Sequence, residues 1–177
     1  MYSNILFENL KGYTVEHCKR THNLSVRLAR HLKLSKQEIK QIGTAALYHD
    51  IGKADVPKSV REKNGPLTES EMEEMKQHTA YGFLSSQPIF HKDIREMIKY
   101  HHENEDGSGY YKLSKDEIPL GAKIIHICDV YDALTSKRPY HKGMKKKDAL
   151  KFIGEQRGYM FNEQIVDIFL EMMTKKT

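Results

Sequence analysis

The sequence has no tryptophan, only two cysteines among 177 residues, and no apolar run of membrane length. A membrane-spanning helix needs roughly 20 consecutive apolar residues. Stretches such as Ile124 to Cys128, interrupted by His126, fall far short of that, so no membrane partner is expected. The N-terminus shows no basic segment followed by an apolar core, and no secretory leader is read there. Cys18 and Cys128 are therefore expected as reduced thiols in a cytoplasmic protein, not as a disulfide staple. A domain of this length buries roughly 70% of its unfolded surface and needs no staple. Residues 1–177 are read as a single domain.

Charge is biased without being clustered. The formal net charge of +5 favours anionic partners. Lys142, Lys145, Lys146 and Lys147 form the one dense cationic run, which reads as the solvated start of a helix. No basic ribbon interleaved with aromatics is present. Nucleic acid is therefore not expected, and a phosphorylated small molecule is.

Apolar spacing is helical almost throughout. Residues 14–32 form one long helical pattern with no internal Gly or Pro. Ser35 followed by Glu38 is a capping box, opening a helix expected to end near Gly52. A short helical turn can follow Pro57. Thr68 with Glu71 opens another helix, expected to end at His78. Residues 93–103 read as a helix and the stretch up to Pro119 as a loop dense in turn formers. Pro119 suits the first turn of a helix through Leu134, and residues 148–156 and 162–173 complete the pattern. No segment alternates as a strand would, so the fold class is all-α, a compact helical bundle.

The excess is in histidine, with ten in the chain. In "HDIGK", residues 49–53, His49 and Asp50 can offer one cation an imidazole nitrogen and a carboxylate oxygen. Lys53 would share their helical face if the helix persists, placing an ammonium where a phosphate oxygen could sit. His101 and His102 leave a helix into the Gly-rich loop "HHENEDGSGYY". Such neighbours are awkward in a core, whereas imidazoles suit iron, manganese or zinc. Asp129 lies inside the apolar "IIHICDVYDAL", where a carboxylate is costly unless paired or metal-bound. Asp132, one turn on, reads as a surface or supporting carboxylate. Taken singly, His17 and His78 read as ordinary polar residues. His22, His31, His91, His126 and His141 have no neighbour at ligand spacing, and His31 is expected at the surface.

In order along the chain stand His17, "HDIGK", His78, "HHENEDGSGY", "DVYDAL" and Arg138-Pro139-Tyr140. This series resembles the HD-GYP family of HD-superfamily phosphohydrolases, and the likeness spans about residues 13–173. The resemblance implies a helical bundle whose histidines and aspartates converge on divalent cations, iron or manganese by preference. One ion would be held by His17, His49, Asp50 and Asp129, the other by His78, His101 and His102, with Asp50 bridging. Asp50 and Lys53 would carry catalysis, Lys53 beside the scissile phosphate. Arg138, Tyr140, Asp106, Gly107 and Tyr110 would contact substrate. The reaction implied is hydrolysis of cyclic di-GMP to the linear dinucleotide or GMP. The chemistry is coherent: two metals about 3.5–4 Å apart neutralise phosphodiester charge and activate water. The alternatives are an HD hydrolase of another phosphorylated nucleotide and a catalytically silent cyclic-dinucleotide-binding domain.

The sequence departs from that pattern at four positions. Tyr13 stands where relatives with a third metal carry Glu, so two ions are expected. Thr79 follows His78 where Pro is usual. The signature tripeptide reads Gly109-Tyr110-Tyr111, with Tyr111 in place of Pro, and His141 replaces an Arg. Tyr111 and His141 are expected to shift preference among cyclic dinucleotides.

Overall fold

The computed structural model describes residues 10, 12–136 and 142–175, and every regular element among them is helical. Helix α1 spans Gly12–His31 and α2 spans Lys36–Tyr48. A 3₁₀ turn, Ile51–Ala54, and a single helical turn, α3 at Lys58–Arg61, follow. Then come α4, Glu69–Lys76, α5, His78–Ser85, and α6, Lys92–Tyr100. Helices α7 (Leu120–Thr135), α8 (Lys146–Glu155) and α9 (Glu163–Thr174) complete the bundle. The all-α expectation is borne out.

Local chemistry fixes several boundaries. Ser35 and Glu38 form the reciprocal capping box that starts α2, and Thr68 and Glu71 do the same for α4. Pro119 precedes α7, and the Asn162 side chain accepts from the Ile165 amide to cap α9. Helix α7 is apolar nearly all round, burying Ala122, Ile124, Ile125, Ile127, Cys128 and Tyr131. A helix of that kind belongs in the interior. It packs on α1, α2, α6 and α8. Phe169, Ile165 and Val166 of α9 seal the core with Ile153 of α8, each worth roughly 1.5–3 kcal/mol of apolar burial.

The helix expected over residues 93–103 ends at Tyr100 with His101 as its cap, and two further boundaries differ from the sequence reading. Helix α2 stops at Tyr48, not near Gly52; His49 is its cap, and Asp50 leaves the helix at φ −96°, ψ 7°. The cause is a close approach. A Cβ on Gly52 would lie 2.0 Å from the His78 carbonyl oxygen and 2.4 Å from the Gly82 nitrogen, so the 3₁₀ turn presses directly on α5. Lys53 is therefore not one helical turn along the face of His49. Likewise His78 does not end α4 but begins α5 after a tight junction at Gln77.

Candidate active site

The elements bring seven of the expected residues together. His17 comes from α1, His49 and Asp50 from the end of α2, and His78 from the start of α5. His101 and His102 follow α6, and Asp129 projects from α7. Three imidazoles are set in the same way. The Nδ1–H of His49, His78 and His101 donates to the carbonyl oxygen three residues earlier, at 2.8, 2.7 and 2.7 Å. Each bond fixes the tautomer and leaves Nε2 as an outward lone pair. All three Nε2 atoms, and Asp50 Oδ1, are buried without a hydrogen-bond partner among the described residues. A buried orphan polar atom costs about 1–3 kcal/mol, so four in one place call for a shared partner.

The spacings fit a cation. His49 Nε2 lies 3.5 Å from Asp50 Oδ2, and His78 Nε2 lies 3.5 Å from Asp50 Oδ1. His17 Nε2 is 2.9 Å from Asp129 Oδ1 and 3.9 Å from Asp50 Oδ2. Donors that each stand about 2.1 Å from one ion are themselves roughly 3–4 Å apart. The ligand atoms of His17, His49 and Asp50 all fall within 4.8 Å of one another, as do those of His78, His101 and His102. Asp50 lies between the groups, turning one oxygen to each. A third set, His49, His101 and Asp129, overlaps both and shows that they form one continuous cluster. The cluster can hold metal.

Asp132 supports it from behind. Its carboxylate accepts the His17 Nδ1–H at 2.6 Å and a two-pronged pair from Arg20, at 2.7 Å from Nε and 3.0 Å from the terminal nitrogen. Burial raises the Asp132 carboxyl, but the His17 and Arg20 bonds outweigh it and hold its pKa at about 2. Burial disfavours the His17 cation, yet Asp129 and Asp132 lift its pKa to about 9. Burial and the Lys53 charge lower His78 to about 4, and burial likewise lowers His101 and His102, keeping these rings neutral as ligands must be. Burial would raise Asp50, but Lys53, His49 and His78 keep it ionised.

A cleft of about 400 Å³ opens over the cluster. His17, Asp50, His78, His102 and Asp129 line it, together with the cations Lys53 and Arg61. Lys53 Nζ donates to Asp50 Oδ2 at 2.6 Å. Arg61 donates to the carbonyls of Lys53 and Ala54 at 2.8 and 3.0 Å, fastening the turn that carries the lysine. Tyr110 also lines the cleft, its ring centroid 4.7 Å from that of His102. Asp106 and Gly107 are not among the lining residues. Asp106 Oδ1 accepts from the Ser108 amide and hydroxyl, and Gly107 adopts φ 77°, so both shape the loop. Glu103 secures the same loop by accepting from the Tyr111 and Leu113 amides at 2.7 and 2.9 Å. Arg138, Tyr140 and His141 lie outside the described residues.

Sequence reasoning missed Arg61, Met72 and Met75 on the cleft wall and the Arg20–Asp132 support. The spacing of His17 to Arg20 and of Asp129 to Asp132 was the available signal for the latter. Nothing local marks Arg61.

A helical bundle with this His–Asp centre defines a class, and the comparison with known families agrees. The HD domain family matches residues 1–165, and the chain belongs to it. Among curated relatives, it is 36% identical over 174 residues to a cyclic di-GMP phosphodiesterase of Thermotoga maritima, covering 96% of this chain and 47% of the relative. It is 39% identical over 163 residues to the cyclic di-GMP phosphodiesterase response regulator RpfG of Xanthomonas campestris, covering 90% and 43%. A 3'3'-cGAMP-specific phosphodiesterase of Vibrio cholerae is 33% identical over 162 residues, covering 89% and 31%. The chain thus spans less than half the length of these relatives. Among solved structures, an HDG"Y"P protein from Bdellovibrio bacteriovorus superposes with TM-score 0.74 at 20% identity, over 91% of this chain and 52% of that one. The HD domain of L. monocytogenes phosphodiesterase PgpH, in complex with cyclic-di-AMP, gives 0.67 at 19%, over 96% and 93%. The family resemblance drawn from the sequence is borne out.

Proposed function

We propose that this chain hydrolyses a phosphodiester bond of a cyclic dinucleotide, cyclic di-GMP foremost, acting through residues 1–177 as one HD-type unit. The observation that carries the reading is the set of partnerless donor atoms on His49, His78, His101 and Asp50 beneath a cleft holding Lys53. In it, His17, His49, Asp50 and Asp129 hold one divalent ion, and His78, His101 and His102 hold the other, with Asp50 shared. Mixed imidazole and carboxylate donors suit iron or manganese. Such ions, when bound, supply charge neutralisation and an activated water.

The chain's own groups do the rest. Lys53 stays an ammonium because the Asp50 charge overcomes the effect of burial. It offers a phosphate oxygen a charge-assisted hydrogen bond where negative charge develops. Arg61 keeps the lysine's backbone in place, and Asp132 holds the His17 ring so that Nε2 faces inward. Tyr110, packed on His102, forms a wall that limits water. Cytoplasm, where free thiols persist, is the setting that suits Cys18 and Cys128. The relatives named for cyclic di-GMP and for 3'3'-cGAMP support the substrate class, and Tyr111 and His141 set a preference within it.

The test is turnover of cyclic di-GMP, cyclic GMP-AMP and cyclic di-AMP by metal-loaded protein, with products separated chromatographically. Linear dinucleotide or mononucleotide is expected from at least one. A fully metal-loaded protein that binds a cyclic dinucleotide yet leaves all three intact would instead be a silent binding domain.

A further inference from the structure

The cleft has an apolar side that the phosphate chemistry does not use. Of the large hydrophobic side chains exposed among the described residues, Tyr13 at 52% and Met72 at 41% both line the cleft over the His–Asp cluster. Large exposed apolar groups gathered at one concave site mark a binding surface more often than chance exposure. Tyr13 lies one helical turn before His17 on α1, so the two side chains share a face and the phenol stands beside the His17 ligand position. Its hydroxyl makes no hydrogen bond to any described residue. Thr14 and Ala133, on the same lining, are small. From α4, Met72 and Met75 bring flexible, polarisable thioethers to the same cleft.

We propose that Tyr13, with Met72 as the second wall, is a base-stacking subsite that takes one purine of the nucleotide whose phosphate lies over the cluster. The proposal rests on the reading that a nucleotide phosphate occupies this cleft. A phosphodiester on the His–Asp floor carries its base a sugar's length away, and the rim there must accept a flat aromatic face. Half-exposed tyrosine provides that face with little conformational entropy to lose, and the methionines adapt to either purine. The phosphate end is polar and fixed by Lys53, while the base end is apolar and read by stacking. A position that carries a metal-ligating Glu in trinuclear relatives thus serves substrate binding here.

The experiment compares GMP with ribose 5-phosphate, which shares the sugar and phosphate but lacks the base. Dissociation constants are measured by calorimetry on the metal-loaded full chain. Stacking one base on an aromatic ring changes affinity on the order of 10- to 100-fold, so wild type is expected to prefer GMP by at least ~10-fold. Tyr13→Ala should weaken GMP by about that factor and leave ribose 5-phosphate within about twofold. Tyr13→Phe should keep the preference, since the ring and not the hydroxyl stacks. Tyr13→Leu, which keeps the bulk without the aromatic face, gives the same comparison should the alanine variant fail to fold. Unchanged GMP binding in Tyr13→Ala or Tyr13→Leu, or equal loss of both ligands, overturns the proposal. Turnover of cyclic dinucleotides by a protein that binds GMP and ribose 5-phosphate equally overturns the subsite alone. A GMP preference lost with Tyr13, in a protein inert on cyclic dinucleotides, overturns the proposed activity and leaves the subsite standing.

Discussion

The Tyr111 hydroxyl and Thr79 Oγ1 lie 2.9 Å apart and hydrogen-bond across 32 residues of sequence. Thr79 passes its own proton to the Lys76 carbonyl at 2.9 Å, so the tyrosine is the donor to it. Both residues stand where the HD-GYP pattern has proline, and the two departures explain each other. One follows His78, and the other follows Tyr110, which packs on His102. Their bond ties together two segments that carry candidate ligands.

The Tyr111–Thr79 pair gives the first prediction. Tyr111→Phe should lower stability by about 1 kcal/mol, the net worth of one hydrogen bond. Tyr111→Pro should lower it further, by roughly 2–3 kcal/mol, because it also removes the amide that Glu103 accepts from. Denaturant melts of Tyr111→Phe, Thr79→Val and the double variant give the coupling energy. Strictly additive losses would mean the two hydroxyls do not interact.

Gly52 gives the second. Its Cβ would meet backbone of α5, not a flexible side-chain end, so Gly52→Ala must push the 3₁₀ turn away from His78. Overpacking of this kind costs about 1–3 kcal/mol or more. A reduced melting temperature together with weakened metal retention is expected. A variant with wild-type stability and metal content would show that the contact is loose.

The third prediction concerns pH in metal-stripped protein. The His17 pKa is raised to about 9, so its contribution is complete below 6.5 and is lost as pH rises through 9. The Asp132 pKa is lowered to about 2, so its contribution is present above 3.8 and is lost as pH falls through 2. Metal-free protein should therefore be most stable near pH 6.5, losing roughly 3 kcal/mol between pH 6.5 and 9, at about 1.4 kcal/mol for each tenfold change, and losing stability below 6.5 as well because the fold holds His78, His101 and His102 neutral. Melting temperatures of wild type and His17→Gln across that range check it, the variant being expected to show a flatter profile. Identical slopes would remove His17 from the account.

Much of this was legible in the chain because the relevant signals are local. Ser35–Glu38 and Thr68–Glu71 mark helix starts by the chemistry of their own four residues. The helix at His78–Ser85 gave no such mark, since Gln77 stays helical and no side chain caps the start. The candidate ligands could be read from their order. Arg20 offered only its three-residue spacing from His17, because its partner Asp132 is 112 residues away. Lys53 was expected one helical turn along the face of His49, and it instead reaches Asp50. Helical periodicity put it on a shared face, whereas the helix ends and the side chain reaches back from a 3₁₀ turn. Only tertiary contact with α5 determines where α2 stops.

The central claim is that Asp50 joins two cation sites in one cluster, and elemental analysis of anaerobically purified protein tests it most directly. Wild type should hold two ions per chain, since Tyr13 offers no carboxylate for a third. Asp50→Ala should lose both ions along with turnover. His31→Ala, at an exposed residue whose Nδ1 bonds the Arg27 carbonyl, should keep both ions, with activity within about twofold, as a surface change rarely exceeds ~0.5 kcal/mol. Two ions retained in Asp50→Ala, or three tightly held in wild type, would contradict the assignment.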